Sequence, residues 1–250
     1  MAFWQWIFIS LNEAIMAYEL TQLISQPEMP LAHRIREPLS GQIEGSPCLL
    51  ILHGVGANEL GLIDIATRVD SRFTVILVRS PIQFGSMQFG FFQVSFTQSG
   101  PKINAEQAEE SRQQLVRFME SLPGLYGIDA QKIWIAGFSQ GGILSASVAL
   151  TRPDLVNGFG ILSGRILPEI SPMIAPLNEL LGLHAFISHG LNDAVLTVEF
   201  AKTAQKLLLD KAIQLTYQEY NAGHELIALM QDDFHEWLAK ELDESISHRS

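Results

Sequence analysis

Six short, continuous apolar runs alternate with five segments of helical periodicity along the chain, and this alternation most constrains its fold. Apolar runs without a polar alternation are typical of strands buried on both faces of a parallel sheet. Strand and helix in regular succession indicate a doubly wound α/β domain with helices on both faces of the sheet. The predicted strands end at or near His53, Val78, Phe138, Gly164, Gly190 and Tyr220.

The helical segments follow most of these strands, as the alternation requires. They are predicted to begin at Glu59, Ala105, Ser139, Thr197 and Glu225. An extended stretch before the first strand, LAHRIREP, is expected to add antiparallel strands at the sheet edge. No internal repeat, low-complexity block or linker interrupts the pattern. We therefore predict an α/β fold with a mostly parallel central sheet, in one domain over residues 16–250.

Composition excludes several classes of function. Of the 250 residues 47% are hydrophobic, which is enough material for one large core. The net charge of -11 argues against a nucleic-acid partner and against electrostatic attraction to anionic lipid, because both need clustered Lys and Arg. Cys48 is the single cysteine and cannot close an intrachain disulfide, which agrees with a reducing compartment. We predict a cytoplasmic protein.

Residues 1–15 form a predicted N-terminal extension to this domain. They begin MAFWQWIFISL, which is apolar but lacks a basic n-region and is followed by NEAIMAYEL in place of a cleavage site. The run is shorter than the roughly 20 apolar residues of a membrane span, so we predict no stable membrane insertion. Three interpretations stay open: a short helix packed on the domain, a weak interfacial anchor, or translated upstream sequence with the natural start at Met16. We favour the first and the last.

The motif GFSQG begins at Gly137, where the apolar run KIWI ends and a helical segment begins. A glycine-rich turn is the plain interpretation. The strand-turn-helix setting instead favours a nucleophile elbow, in which Ser139 projects from the end of the sheet. Its hydroxyl needs a neighbouring base to become a nucleophile.

A base and an orienting acid are expected later in the chain, also at strand ends. His224 follows the last predicted strand in NAGHEL, and Asp193 follows the preceding one in HGLNDAVL. Asp193 would fix the tautomer of His224 and stabilise its imidazolium. Asp129 and Asp154 are alternatives by residue type, but they are predicted at the opposite end of the sheet.

The stretch LHGVGANE completes the predicted site. A tetrahedral intermediate requires two N–H donors, and this arrangement would take them from the backbone of Val55 and of Gln140. The chain has no phosphate-loop motif and no HExxH or CxxC spacing, so we expect neither a metal nor a cofactor.

These four motifs, LHGVGANE, GFSQGG, HGLNDAVL and GHEL, occur in an order that resembles the phospholipase/carboxylesterase family of α/β hydrolases. The resemblance runs from about Pro47 to Leu242, and the family includes bacterial carboxylesterases and acyl-protein thioesterases. It implies the α/β-hydrolase fold and cofactor-free hydrolysis of carboxylic esters or thioesters by Ser139, Asp193 and His224. The chain departs from the family at Phe91 and Phe92, where a Trp-Phe pair is common.

The acyl pocket is predicted from apolar residues in loops, because ligand pockets are mostly apolar. A segment from Ile166, ILPEISPMIAPL, is expected to fold over that pocket. Local core packing is the alternative for all of these side chains. The candidate lining residues are Phe84, Met87, Phe89, Phe91 and Phe92.

Three functions are compatible with these motifs. The first is a serine carboxylesterase that hydrolyses small to medium acyl esters through an acyl-enzyme. Its partner would be a small-molecule ester substrate, and the protein would be a monomer or homodimer. The second is an acyl-protein thioesterase or lysophospholipase. The third, from another class, is a small-molecule binder that keeps the hydrolase fold without turnover.

Overall fold

A computed structural model describes residues 20–27, 29–97 and 100–247 of the chain. The predicted extension over residues 1–15 lies outside this range, so the interpretations of it stay predictions. Within the described residues no helix is both long and apolar enough to cross a membrane.

A seven-stranded sheet forms the centre of the described structure, with the strand order β1-β3-β2-β8-β9-β10-β11. Its neighbouring strands are parallel except β1 and β3, which pair antiparallel at one edge. The predicted mostly parallel sheet and its antiparallel edge are therefore confirmed. The strands of this sheet are β1 (His33–Arg36), β2 (Cys48–Leu52), β3 (Thr74–Val78), β8 (Ile133–Phe138), β9 (Gly158–Leu162), β10 (His184–Gly190) and β11 (Gln214–Tyr220).

Two small hairpins lie between β3 and the next helix, and the apolar pattern of the sequence did not predict them. Their strands are only three or four residues long and contain glycine, so they carry too few positions to show a hydrophobic period. Each hairpin pairs antiparallel and lies outside the central sheet. The strands are β4 (Ile82–Gly85), β5 (Gln88–Gly90), β6 (Val94–Thr97) and β7 (Gly100–Ile103).

The five predicted helices occur in the predicted order, two of them with starts that are several residues later, and the short helix Leu177–Leu180 was not predicted. The helix predicted from Glu59 begins at Ile63, because the Asn58 side chain accepts a hydrogen bond from the Leu60 N–H and holds a turn there. The helix predicted from Glu225 begins at Ala228, because the loop that carries His224 continues up to that residue. The helices are α1 (Ile63–Arg68), α2 (Ala105–Tyr126), α3 (Gln140–Thr151), α4 (Leu177–Leu180), α5 (Val198–Asp210) and α6 (Ala228–Ser247), with short 3₁₀ helices at Pro153–Leu155 and Pro168–Met173.

Two apolar clusters cover the two faces of the sheet. Along β2, Leu50 faces the cluster formed with α2, α3 and α5, whereas Leu49 and Ile51 face the cluster formed with α1 and α6. All three side chains are at most 3% exposed. This two-sided burial is the reason why the strands read as continuous apolar runs, and it confirms helices on both faces.

Buried histidines make the stability of this core dependent on pH. Burial lowers the pKa of His33, His53 and His235 below their ordinary value of 6.5. The unfolded chain therefore binds more protons than the folded chain as the pH falls below about 6.5. A hydrogen bond to Glu241 raises the pKa of His184, which acts in the opposite direction. His33 and His53 are almost fully buried and His184 is partly exposed, so we expect the lowered pKa values to dominate and the free energy of unfolding to decrease as the pH falls from about 7.5 to about 5.5.

Urea denaturation across this pH range, at constant ionic strength, measures the effect as a shift of the midpoint. His235→Gln serves as the comparison, because an amide can still donate to the Ile65 carbonyl, which the His235 ring contacts at 3.0 Å. The decrease should be shallower in that variant. A midpoint that stays constant or rises on acidification would contradict the prediction.

Candidate active site

Ser139 stands at the junction of β8 and α3, near the middle of the sheet. Its φ of 54° lies in the left-handed region, which a residue with a side chain rarely adopts. The Ser139 N–H donates to the Leu162 carbonyl on the neighbouring strand at 2.8 Å, which holds this conformation. Strained backbone that is fixed by its surroundings is typical of functional sites.

Two glycines make this turn sterically possible. A Cβ atom at Gly141 would lie 2.0 Å from the Leu52 carbonyl oxygen, and one at Gly137 would lie 2.4 Å from the Gly141 carbonyl carbon. Both distances are far below any van der Waals contact, and the opposing atoms are backbone. The motif GFSQG therefore places α3 directly against β2 and β8, and only glycine fits at either position.

The structure brings Ser139, His224 and Asp193 into one hydrogen-bonded chain. The distance from Ser139 Oγ to His224 Nε2 is 2.8 Å, and that from His224 Nδ1 to Asp193 Oδ2 is 2.7 Å. An ionised carboxylate can only accept, so Nδ1 carries the proton and Nε2 is free to accept from the serine hydroxyl. The Phe138 ring packs beside the imidazole, with ring centroids 5.0 Å apart.

Asp193 is buried and tightly held in the loop after β10. Its Oδ1 accepts hydrogen bonds from the N–H groups of Val195 and Leu196, both at 2.8 Å. His189 lies behind it, where its Nε2 is 2.7 Å from the Leu196 carbonyl and 3.4 Å from Asp193 Oδ2. These contacts leave one carboxylate oxygen directed at His224.

The loop after β2 presents a free N–H group at Val55. No residue in the described ranges accepts a hydrogen bond from it. The buried His53 ring shapes this loop: Nε2 accepts from the Ser80 N–H at 3.2 Å, so Nδ1 carries the proton and donates to the Gly54 carbonyl at 2.7 Å. The loop is further held where the Gly56 N–H donates to the Phe89 carbonyl at 2.8 Å.

Gln140 has a structural role that the sequence did not signal. Its side-chain oxygen accepts from the Phe91 N–H at 2.6 Å, and its side-chain nitrogen donates to the Phe92 carbonyl at 2.7 Å. Its own backbone N–H begins α3, where first-turn N–H groups have no intrahelical acceptor. The amide side chain thus fixes the loop between β5 and β6 against the start of α3.

A narrow cleft of about 30 Å³ adjoins Ser139. It is predominantly apolar, and the hairpin of β6 and β7 forms one wall. The lining residues are Val55, Phe92, Val94, Pro101, Ile103, Ser139, Gln140, Ile143, Arg165, Val195 and Leu196.

Of the five residues predicted for the acyl pocket, Phe92 is in this lining. Phe91 is buried against the His53 ring, with centroids 5.8 Å apart, and Phe89 packs under the Arg79 guanidinium. Phe84 and Met87 are both more than two-fifths exposed, on the β4 and β5 hairpin. Phe89 and Phe91 are thus engaged in local packing, whereas Phe84 and Met87 face solvent. Substrate contact by the five residues stays a prediction.

The segment from Ile166 likewise packs away from Ser139. Leu167 and Ile170 are buried, and together with Glu169 and Met173 they face residues of α2 across a separate cavity of about 500 Å³. The Ala175 N–H donates to the Leu150 carbonyl at the end of α3. The residue just before this segment, Arg165, does reach the cleft, although no sequence motif signalled it.

One cluster among the described residues has the composition of a metal site. His184, Glu241 and Glu244 place their ligand atoms within 4.8 Å of one another. His184 opens β10 and so lies at the edge of the sheet opposite to Ser139. Its ring is 2.5 Å from the Glu241 carboxylate, so these two residues already form an ion pair with each other.

Comparison with known proteins identifies the relatives of this chain. The family model described as phospholipase/carboxylesterase matches residues 37–242, which is most of its length. The chain belongs to the phospholipase/carboxylesterase family. This family consists of hydrolases with the α/β-hydrolase fold, which is the fold described above.

Individual relatives are distant but cover most of the chain. A putative hydrolase, MhqD, of Bacillus subtilis is 24% identical over 76% of this chain and 90% of its own length. Acyl-protein thioesterase 1 of Mycosarcoma maydis is 26% identical over 66% of this chain and 76% of its own. The crystal structure of the Bacillus cereus carboxylesterase superposes with a TM-score of 0.72 at 24% identity, covering 84% of this chain and 94% of the other.

Proposed function

We propose that this family member is a serine carboxylesterase that hydrolyses short acyl esters through an acyl-enzyme. One observation carries the proposal: the Ser139 hydroxyl, the His224 imidazole and the Asp193 carboxylate form an unbroken hydrogen-bonded chain. The serine at the end of this series of hydrogen bonds lines a cleft that is open to an ester substrate. No step of this mechanism requires a metal or cofactor.

In the proposed mechanism Ser139 Oγ attacks the ester carbonyl while His224 Nε2 accepts its proton. The imidazolium then protonates the departing alcohol, which leaves an acyl-Ser139 ester. A water molecule, deprotonated by the same nitrogen, attacks this ester, and the imidazolium then returns the proton to Ser139 Oγ as the acid leaves. Asp193 keeps the imidazole in the required tautomer and stabilises its positive charge in both steps.

The oxyanion of each tetrahedral intermediate would be bound by the backbone N–H groups of Val55 and Gln140. Both residues line the cleft beside Ser139, and the Val55 N–H has no acceptor among the residues described. The start of α3 adds the positive end of a helix dipole at the same place. Donors that are fixed in advance stabilise developing charge strongly.

The size of the cleft predicts a preference for short acyl chains. Its volume of about 30 Å³ is far below the several hundred Å³ of a typical ligand pocket. We expect kcat/KM for p-nitrophenyl butyrate to exceed that for the octanoate ester by about tenfold or more, because the longer chain fits only if packed side chains of the lining move, which costs about 1–3 kcal/mol.

Ile143 tests this preference, because its side chain is 4% exposed and lines the cleft. Ile143→Ala should raise kcat/KM for octanoate relative to butyrate, by about fourfold for each CH₂ group that becomes buried. Ile143→Val, which removes one methyl group, is the matched control and should shift the ratio less. Equal kcat/KM values for the butyrate and octanoate esters in the wild type would contradict a short-chain preference.

An acyl-protein thioesterase or lysophospholipase activity is the second candidate, favoured by the similarity to the Mycosarcoma maydis thioesterase. Such substrates carry long acyl chains, so the same chain-length series and an assay on an acylated protein separate the two. A binder without turnover is the third, and it would leave Ser139 inert towards a fluorophosphonate.

A further inference from the structure

Arg165 places a cationic side chain beside the nucleophile in an otherwise apolar cleft. The residue directly before it, Gly164, packs against the elbow: a Cβ atom there would lie 3.1 Å from the Ser139 carbonyl oxygen. Arg165 itself lines the same cleft as Ser139 and Ile143. Arg165 is therefore within reach of a substrate bound at Ser139.

A strained turn directs the chain to this position. Ser163, the first residue after β9, is fully buried and has a φ of 49°, in the left-handed region. Its N–H donates to the Ser188 carbonyl on β10 at 2.8 Å. A conformation that costs free energy and is held by its surroundings is a mark of a functional segment.

Among the residues that the structure describes, the Arg165 guanidinium has no counter-ion in hydrogen-bond contact. Its Nε is buried and unpartnered, and no group in the described parts of the chain accepts a hydrogen bond from it. One face stacks on the Phe200 ring, with Arg165 Cζ 4.9 Å from the centroid. Stacking fixes the plane of the guanidinium and leaves the N–H groups at its edge free. The exposed Glu169 carboxylate acts on it through space only.

An unpaired cation in an apolar cleft is costly unless a ligand pairs with it. The protein has a net charge of -11, so its overall field does not attract anions and a local cation must do so. A guanidinium edge matches a carboxylate in a bidentate geometry. Arg165 is the one cationic residue among the described residues that line the cleft, which suits a monoanion better than a dianionic phosphate.

We infer that Arg165 binds a carboxylate on the substrate, so that the preferred substrates are short esters bearing one carboxylate group. This inference rests on the proposed esterase function and names its substrate class. Half-esters of short dicarboxylic acids have this chemistry in the acyl part. Esters of hydroxy acids have it in the alcohol part.

The test compares esters that differ only in the carboxylate. The p-nitrophenyl esters of butyrate and of hydrogen succinate have acyl groups of equal length, one ending in methyl and the other in carboxylate. Phenyl acetate and the acetate ester of m-hydroxybenzoate place the carboxylate in the leaving group. In at least one pair, the wild type should show a kcat/KM about tenfold higher for the charged ester, because a charge-assisted hydrogen bond contributes about that factor to binding.

Arg165→Met keeps an unbranched, flexible side chain and removes the guanidinium with its charge. The ratio of charged to neutral ester should fall by about tenfold or more in this variant. Arg165→Lys should retain part of the preference, because a point charge lacks the bidentate geometry. Arg117→Met, at an exposed position of α2, is the matched control and should leave the ratio unchanged.

The two levels of the proposal fail differently. If the wild type hydrolyses the neutral esters but shows no preference for a charged one in either pair, the inference about Arg165 is wrong and the esterase proposal stands. A preference that persists in Arg165→Met is equally decisive against it. If the wild type hydrolyses none of the esters, the proposed function itself fails. Should Arg165→Met not fold, the wild-type ratio and its change in Arg165→Lys decide.

Discussion

Replacement of Ser139 by alanine is expected to lower kcat for p-nitrophenyl butyrate by about 10⁴- to 10⁶-fold, because the variant has no atom to form the acyl-enzyme. The fold should be retained, since Ser139 Oγ contacts only His224 among the hydrogen bonds of the described structure. The hydroxyl is also the predicted site of fluorophosphonate attachment. Mass spectrometry of the labelled protein should therefore find the adduct on Ser139 in the wild type and none in the variant.

Ser121→Ala provides the control for that measurement. Ser121 lies on α2, where its hydroxyl donates to the Phe118 carbonyl within the same helix, outside the cleft. Its removal should change neither the rate nor the labelling. Hydrolysis by Ser139→Ala within tenfold of the wild-type rate would refute Ser139 as nucleophile. A wild-type protein that reacts with no fluorophosphonate and hydrolyses no ester would favour the binder.

Gly141→Ala is expected to destabilise the protein by about 3 kcal/mol or more, because the new Cβ would overlap backbone atoms. It would lie 2.0 Å from the Leu52 oxygen and 2.5 Å from the Leu52 carbonyl carbon. Relief requires β2 and α3 to separate in the centre of the core, where their residues are fully buried. Urea denaturation with linear extrapolation gives the free energy of unfolding.

The same substitution at Gly124 is the matched comparison. Gly124 is within α2, and a Cβ atom built there meets nothing within 4 Å. Since alanine is the better helix former, Gly124→Ala should stabilise the protein by up to about 1 kcal/mol. Failure of Gly141→Ala to fold, beside a folded Gly124→Ala, would agree with the prediction. A Gly141→Ala variant within about 1 kcal/mol of the wild type would show that the elbow tolerates a side chain.

Much of the fold follows from the sequence, because two-sided burial leaves continuous apolar runs such as CLLIL in β2. The positions of Ser139, Asp193 and His224 could be predicted for a related reason. Parallel strands end at one edge, so polar residues directly after them meet there. Their hydrogen-bonded contact is observed, whereas their catalytic roles stay predictions.

The lining of the cleft could not be predicted in the same way. Composition does not distinguish an aromatic ring in a pocket from one in the local core, and Phe91 is in the core because the Gln140 side chain holds its backbone. Arg165 reaches the cleft through the left-handed turn at Ser163. The sequence SGR carries no signal for that turn, since serine rarely adopts it.

The two hydrogen bonds of the Gln140 side chain bear on any attempt to re-engineer substrate choice by loop exchange. They reach from the residue after Ser139 to the backbone of Phe91 and Phe92, just before the hairpin that forms one wall of the cleft. A transplanted β6–β7 hairpin would keep its alignment with Ser139 only if the backbone of residues 91 and 92 kept its position, since almost any residue there supplies the same N–H and C=O groups. A foreign loop should therefore be joined after residue 92, so that the contacts with Gln140 keep the cleft wall in place relative to Ser139.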